Sequence, residues 1–262
     1  MEEIYEKLNR FIEEERWDEI EPFLTGCMDR AREEEAHGVY IACGNELLDF
    51  YRQTGRFDGA FLLAEDLLVL MEELQLEDTE HFALVLVNAA AAYDGAGRPE
   101  EAARYYERAA RILERRLEAA GSSEGDWEHR RVEELLAEVL TRLALCTASG
   151  QEKDAQGASR FRDSIYGQKS ALFSRALLLF EKNEGNERSA QEQSQFELYY
   201  LTCLAGLGEA ASTEGKRKEA LHFYEKAAAK SEQYMGASEG TRVLRENCEK
   251  LAAMMQEEEE ES

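Results

Sequence analysis

His129 and Glu133 stand one helical turn apart and are the nearest approach in this chain to a metal-ligating or proton-transfer pair. An imidazole and a carboxylate at i and i+4 share a helix face, so together they could hold a cation or pass a proton. In an acid-rich stretch the same spacing also describes an ordinary pair on a solvated face, and that is the reading taken here. His81 falls at a helix start and His222 in an amphipathic helix, and the sequence gives neither an acid or cysteine partner. Carboxylates are paired everywhere, but general acid–base chemistry needs two acids in unlike environments, so their density carries no catalytic information. There is no phosphate-cradling glycine loop, nucleophile elbow or H-E-x-x-H sequence. The five cysteines, Cys27, Cys43, Cys146, Cys203 and Cys248, are scattered among apolar or small residues without a C-x-x-C pair. That is the pattern of packed, reduced thiols. No catalytic residue, resident metal or cofactor is predicted.

The charge balance bounds the partners instead. Asp and Glu number 56 against 31 Lys and Arg, a formal charge of −25 over 262 residues. Attraction to nucleic acid or to an anionic membrane surface is therefore disfavoured, and basic or neutral partners are favoured. No run of apolar residues is long enough to span a bilayer, and the opening MEEIYEKLNRF lacks a basic region followed by an apolar one. The expectation is a cytoplasmic, monomeric protein.

The elements that must position any site follow from a recurring pattern. Leu86, Ala90, Tyr93, Gly97, Ala102, Tyr106 and Ala109 reappear in kind and spacing around Gly55 and around Gly215. A first helix ends at each glycine, which tolerates the left-handed geometry of a tight helix–helix turn, and a second helix follows. Small residues at Ala60, Ala102 and Ala220 let the axes approach, and Tyr51, Tyr93, Tyr106 and Tyr224 fill the grooves. One such pair cannot bury its apolar face alone, so pairs must stack. Many Ala, Leu and Glu with only two prolines agree with an all-α chain of ten or eleven helices. Pro99 suits a helix start, whereas Pro22 is less comfortable in the first turns after Trp17.

These residues resemble the tetratricopeptide repeat family. Ala90, Tyr93, Gly97, Ala102, Tyr106 and Ala109 match its small–aromatic–small spacing; Leu48, Tyr51, Gly55, Ala60 and Ala64 match in part. Gly208, Gly215, Ala220, Tyr224 and Ala227 supply a third copy, in which Ala211 replaces the usual aromatic. Gly55 and Gly97 lie 42 positions apart, against about 34 in a standard repeat. Longer helices, together with Asn88, resemble the kinesin light chain subclass. The resemblance implies a right-handed superhelical α-solenoid of antiparallel helix pairs, and a non-enzymatic module that binds a protein or peptide. The first helices line the concave surface in this family, which puts Asn45, Asp49, Arg52, Asn88 and Asp94 at candidate partner-binding positions. An Asn amide both donates and accepts, so Asn45 and Asn88 could clamp a peptide backbone or bond a neighbouring helix. The family's lysine-based clamp for carboxylate termini is missing: its inner positions here are Tyr5, Asn45, Val87 and Ala205. A regulatory sensor of peptides or small ligands is the alternative function.

Along the chain, repeats are placed at about 1–34, 39–76, 81–119, 131–183 and 195–236. Gly38 is read as a helix stop, and Asp126 as a helix-start acceptor. Gly150 and Gly215 are 65 positions apart, so the fourth repeat is degenerate, with an irregular insertion at 151–167. Residues 151–190 hold seven Lys or Arg and six Asp or Glu, a local break in the acidic trend that makes the insertion a candidate contact loop. A capping helix is expected at 237–256 and a disordered acidic tail at 257–262.

Overall fold

The computed structural model describes residues 1–121, 127–149 and 158–261; for 148–149, 158–167 and 258–261 the description is of the backbone alone. Among the described residues there are eleven α-helices and no strand. The fold is an all-α, tetratricopeptide-like solenoid of paired helices, in two compact units, Met1–Arg116 and Leu117–Ser262. The first unit comprises α1 (Glu2–Glu13), α2 (Trp17–Glu33), α3 (His37–Gln53), α4 (Phe57–Glu73), α5 (Glu80–Gly95) and most of α6 (Pro99–Ala120). The second comprises α7 (Trp127–Ser149), α8 (Ala158–Lys182), α9 (Ala190–Thr213), α10 (Arg217–Met235) and α11 (Glu239–Glu261).

One turn geometry recurs. In the turns after α1, α3, α5 and α9 a left-handed residue closes the helix, and the next amide reaches back to a carbonyl five residues earlier. Examples are Arg56 N–H to Tyr51 O at 2.8 Å and Arg98 N–H to Tyr93 O at 2.9 Å. This is the Schellman closure, which satisfies carbonyls a helix end otherwise leaves open. Gly55, Gly97 and Gly215 take it at φ 71, 72 and 75°, as their spacing predicts. The same conformation is held at Glu15, Glu35 and Gln75, at φ 56, 54 and 58°, where an L side chain is strained. Gly38 is therefore not a stop. The stop is at Glu35, and Gly38 lies in the first turn of α3.

In these turns the residue after the left-handed one is basic where an aromatic sits five positions before it. Arg16 lies 4.8 Å over Phe11, Arg56 4.3 Å over Tyr51 and Arg98 4.8 Å over Tyr93. Where Ala211 replaces the ring, Lys216 pairs with Glu214 at 2.6 Å instead.

Packing follows the predicted register. Ala60, Ala102, Ala220 and Tyr106 are fully buried. Phe61 of α4, Tyr93 of α5 and Tyr105 of α6 form a three-ring stack, with centroids 4.2 and 5.1 Å apart. Burial, then the hydrogen bond with Tyr93, pushes the Tyr105 phenol up to about 12. In the second unit Gly206 faces Phe173, whose ring atoms would lie 2.4 Å from an added Cβ.

Other expectations change. Pro22 is inside α2, which still starts at Trp17; the helix tolerates one missing donor there. Helix α9 begins at Ala190 rather than near 195, fixed by a reciprocal capping box between Ser189 and Glu192. Of the expected irregular insertion, 151–157 lie outside the described residues, as does Asp126, and 158–167 are helical. Of the tail expected to be disordered at 257–262, residues 257–261 continue α11, since Glu is a good helix former once a helix is running, and Ser262 lies outside the described residues.

Candidate partner-binding groove

Within the first unit the first helices of successive repeats lie side by side, with α3 packed on α5 as well as on its own partner α4. Asn88 Nδ2–H donates to Asn45 Oδ1 at 3.0 Å, across 43 residues of sequence. Both residues are half-buried. This bond uses one donor of Asn88 and one acceptor of Asn45. The second half of each amide, the Asn45 NH2 and the Asn88 carbonyl, is left over for another group.

One and two turns further along α3 lie Asp49 and Arg52. Arg52 donates to Asp49 Oδ1 through Nε at 2.9 Å and Nη2 at 2.5 Å, and Gln53 donates to Oδ2 at 2.5 Å. Arg52 is thus committed to its own helix. Asp94, at the end of α5, is exposed. The structure brings Asn45 and Asn88 together and joins Asp49 to Arg52, while Asp94 stands apart from both pairs. An open cleft at the turn edge, lined by Phe57, Asp58, Phe61, Gly95 and Arg98, includes none of the five.

Two further residues lie beside these: Glu46, which was not singled out from sequence, and Tyr5, which was named there only as an inner position. Glu46 is half-buried beside Asn45, and burial, then the Asp49 carboxylate, holds its carboxyl above the usual range. Tyr5 of α1 is 39% exposed, and its phenol is raised by burial, Glu46 and Cys43, which places it against α3. A sequence signal existed for Glu46: it follows Asn45 directly and sits one turn before Asp49.

The second unit uses its polar residues differently. His129 and Glu133 do pair, Nε2 to Oε1 at 3.3 Å, but their side chains are 10% and 6% exposed, so the face is not solvated. Glu133 also accepts from Lys182 Nζ at 2.6 Å and Asn183 Nδ2 at 3.0 Å. Burial pushes its carboxyl up, but those donors outweigh burial and hold it below the usual value. Arg188 is 4% exposed in its side chain. Its guanidinium binds both oxygens of Glu134, at 2.6 and 3.1 Å, and donates to the Asn183 carbonyl at 2.6 Å. It also lies 3.7 Å over Phe196. Glu138 accepts from Arg142 Nε at 2.8 Å and Gln195 Nε2 at 2.7 Å. Among the described residues no group of three or more His, Cys, Asp or Glu side chains is arranged to hold a metal ion.

Two segments match models of the tetratricopeptide repeat, residues 85–120 and 201–238. They are α6 with most of α5, and α10 with the second half of α9. These two segments are tetratricopeptide repeats. The fold of the chain is similar to that of BtubC (BKLC) from P. vanneervenii, at 18% identity and TM-score 0.67, over 90% of this chain and 82% of that one. It is also similar to a Podosopora anserina protein of the kinesin-light-chain type with nearly identical TPR-like repeats. The values there are 16% identity and TM-score 0.57, over 88% of this chain and 94% of that one. No curated protein sequence matches significantly. Tetratricopeptide repeats in general mediate protein–protein interaction. Among the described residues no helix is long and apolar enough to cross a membrane.

Proposed function

We propose that this tetratricopeptide-repeat chain is a non-enzymatic, monomeric, cytoplasmic interaction module. It holds a peptide segment or helix of a partner protein against the first-helix face of its repeats. The observation that carries the reading is the bond between Asn45 and Asn88. Two amides on neighbouring first helices, each with one half unspent, present a donor and an acceptor side by side, the complement of a peptide backbone. Glu46, Asp49 and Asp94 stand on the same helices, so a basic or neutral peptide is favoured over an acidic one. Association should slow as salt rises.

The test is calorimetry of the full chain against extended peptides of matched length that are strongly basic, neutral or strongly acidic. Basic peptides should bind most tightly, and Asn88→Ala should weaken them with an unchanged melting temperature. Equal affinity for the acidic peptide, or a fall in melting temperature with affinity retained, would reject this face as the binding surface.

A further inference from the structure

The turns before α4 and α6 present the same guanidinium to different neighbours. Arg56 lies 4.3 Å over Tyr51 and donates through Nη1 and Nη2 to the two oxygens of Glu21, each at 2.6 Å, while the Tyr51 hydroxyl donates to the same carboxylate at 2.8 Å. That arginine is spent on an acid of α2. Glu21 stands five residues after Arg16, and the residue five after Arg56 is Phe61. At the later turn a ring therefore replaces the carboxylate: Arg98 lies 5.3 Å over Phe61 and 4.8 Å over Tyr93. Its Nε and Nη2 turn back to one oxygen of Glu101, at 3.0 and 2.8 Å, and among the described residues nothing accepts from Nη1. The same turn opens into the cleft of about 420 Å³ lined by Arg98, Asp58, Phe57 and Phe61, with Gly55 and Gly95 offering no side chain to fill it. Phe57 lies against Gly95, where an added Cβ would meet its ring at 3.0 Å. Asp58 is exposed, and among the described residues no donor pairs with its carboxylate.

One guanidinium with an unspent edge, one unpaired carboxylate and two half-buried phenyl rings thus line a single small space. Its volume falls in the range of small-molecule sites, about 300–1,000 Å³. The two charges match a ligand that carries an anion and a cation, and the rings match an apolar body. A ligand with only one charge would pair with Asp58 or Arg98 and be repelled by the other. We infer that the turn-edge cleft binds a free α-amino acid with an apolar side chain. Its carboxylate accepts from Arg98, making there the charge-assisted contact that Glu21 makes with Arg56. Its ammonium pairs with Asp58, and its side chain lies against Phe57 and Phe61. The cleft shares no residue with the amide pair of Asn45 and Asn88, so this site stands or falls apart from the proposed peptide face. A ligand without net charge is also little affected by the long-range field of the chain's −25 charges, so its affinity should change far less with salt than that of a basic peptide.

The full chain is titrated by calorimetry with L-leucine, L-methionine and L-phenylalanine, and the one that binds best is compared with its N-acetyl derivative and its primary amide. Binding should saturate at one molecule per chain. Each derivative lacks one of the two charges and should bind about tenfold more weakly or worse. Asp58→Asn, at an exposed position, should keep the melting temperature and bring the free amino acid down to the level of its N-acetyl derivative. Asn88→Ala should leave amino-acid binding as it is, which separates failure of this site from failure of the peptide face. No saturable heat with any of the three amino acids, a derivative bound as tightly as its parent, or undiminished binding by Asp58→Asn would overturn the proposal. The comparison of derivatives uses the natural chain, so it decides even if the variant fails to fold.

Discussion

The two units join their first helices with opposite chemistry. In Met1–Arg116, α3 and α5 meet through a neutral amide pair, and the nearby ion pair of Asp49 and Arg52 stays on one helix with each side chain about 30% exposed. In Leu117–Ser262, α7 meets the α8–α9 turn and α9 through paired carboxylates, two buried and one half-buried: Glu133 with Lys182 and Asn183, Glu138 with Gln195, and the half-buried Glu134 with the buried Arg188. Charges taken out of water must find every partner inside the protein, so that network has little capacity left for a ligand. Amides at a half-open surface do keep capacity. The difference separates a network that holds the chain together from the half-buried amide pair on which the proposed binding rests.

Removing one partner in each unit gives the widest separation. Arg188→Ala strands Glu134 and uncaps the Asn183 carbonyl, and should cost about 3–5 kcal/mol; Asp49→Ala, breaking a part-exposed pair, should cost under about 1 kcal/mol. Urea midpoints of the two variants test this, and similar midpoints would erase the distinction. Next come the closest helix approaches. Gly206→Ala drives a methyl group into the buried Phe173 ring and should cost about 1–3 kcal/mol. Gly44→Ala meets only the rotatable end of Leu67, 2.7 Å away, and should cost less. Near-equal losses would show that the α8–α9 contact is no tighter than α3–α4.

Within the first unit the turns offer a finer test. Glu35→Gly should stabilise by about 1 kcal/mol, because glycine relieves the left-handed strain there, and Gly55→Ala should destabilise by about 1–2 kcal/mol. Thermal melts decide, and a loss of stability in Glu35→Gly would mean that the Glu35 side chain contributes contacts that outweigh the strain.

Smallest in size but opposite in sign is the response to acid. Glu133 has a folded-state pKa below its unfolded value, so its contribution is present above the unfolded value and lost as pH falls through the folded one. Glu46 has a raised folded-state pKa. Its ionised form is a penalty at neutral pH, and that penalty disappears as pH falls through the folded value toward the unfolded one. At pH 7 Glu133→Gln should therefore lower the melting temperature and Glu46→Gln raise it, with both effects shrinking toward pH 4. A shared sign at pH 7 would remove the electrostatic half of the comparison.

The fold was legible because its signals are local. Gly55, Gly97 and Gly215, with Ala60, Ala102 and Ala220 behind them, mark turn and contact positions whatever else the chain does. The turns at Glu15, Glu35 and Gln75 were not legible, since nothing in a Glu or Gln announces a left-handed backbone that tertiary packing imposes. The start of α9 was legible and missed: Ser189 and Glu192 are an S-x-x-E capping signal. At the candidate groove, the resemblance to tetratricopeptide repeats put Asn45 and Asn88 among the candidate positions, and the sequence could not show that they bond each other. The Glu133 network is the hardest case. In a chain with 56 acids a buried carboxylate looks like any other, and only its partners, some fifty residues away, tell it apart.

The stack of Phe61, Tyr93 and Tyr105 runs through three consecutive helices and so crosses from the second repeat into the third. A solenoid is often pictured as beads that can be added or removed one at a time. Here the bead boundary and the fracture line do not coincide. Cutting the chain between α4 and α5 would leave Phe61 on one fragment facing water and two tyrosines on the other without their third ring. The second and third repeats thus act as one indivisible module, and a shortened version of this array would have to keep both or discard both.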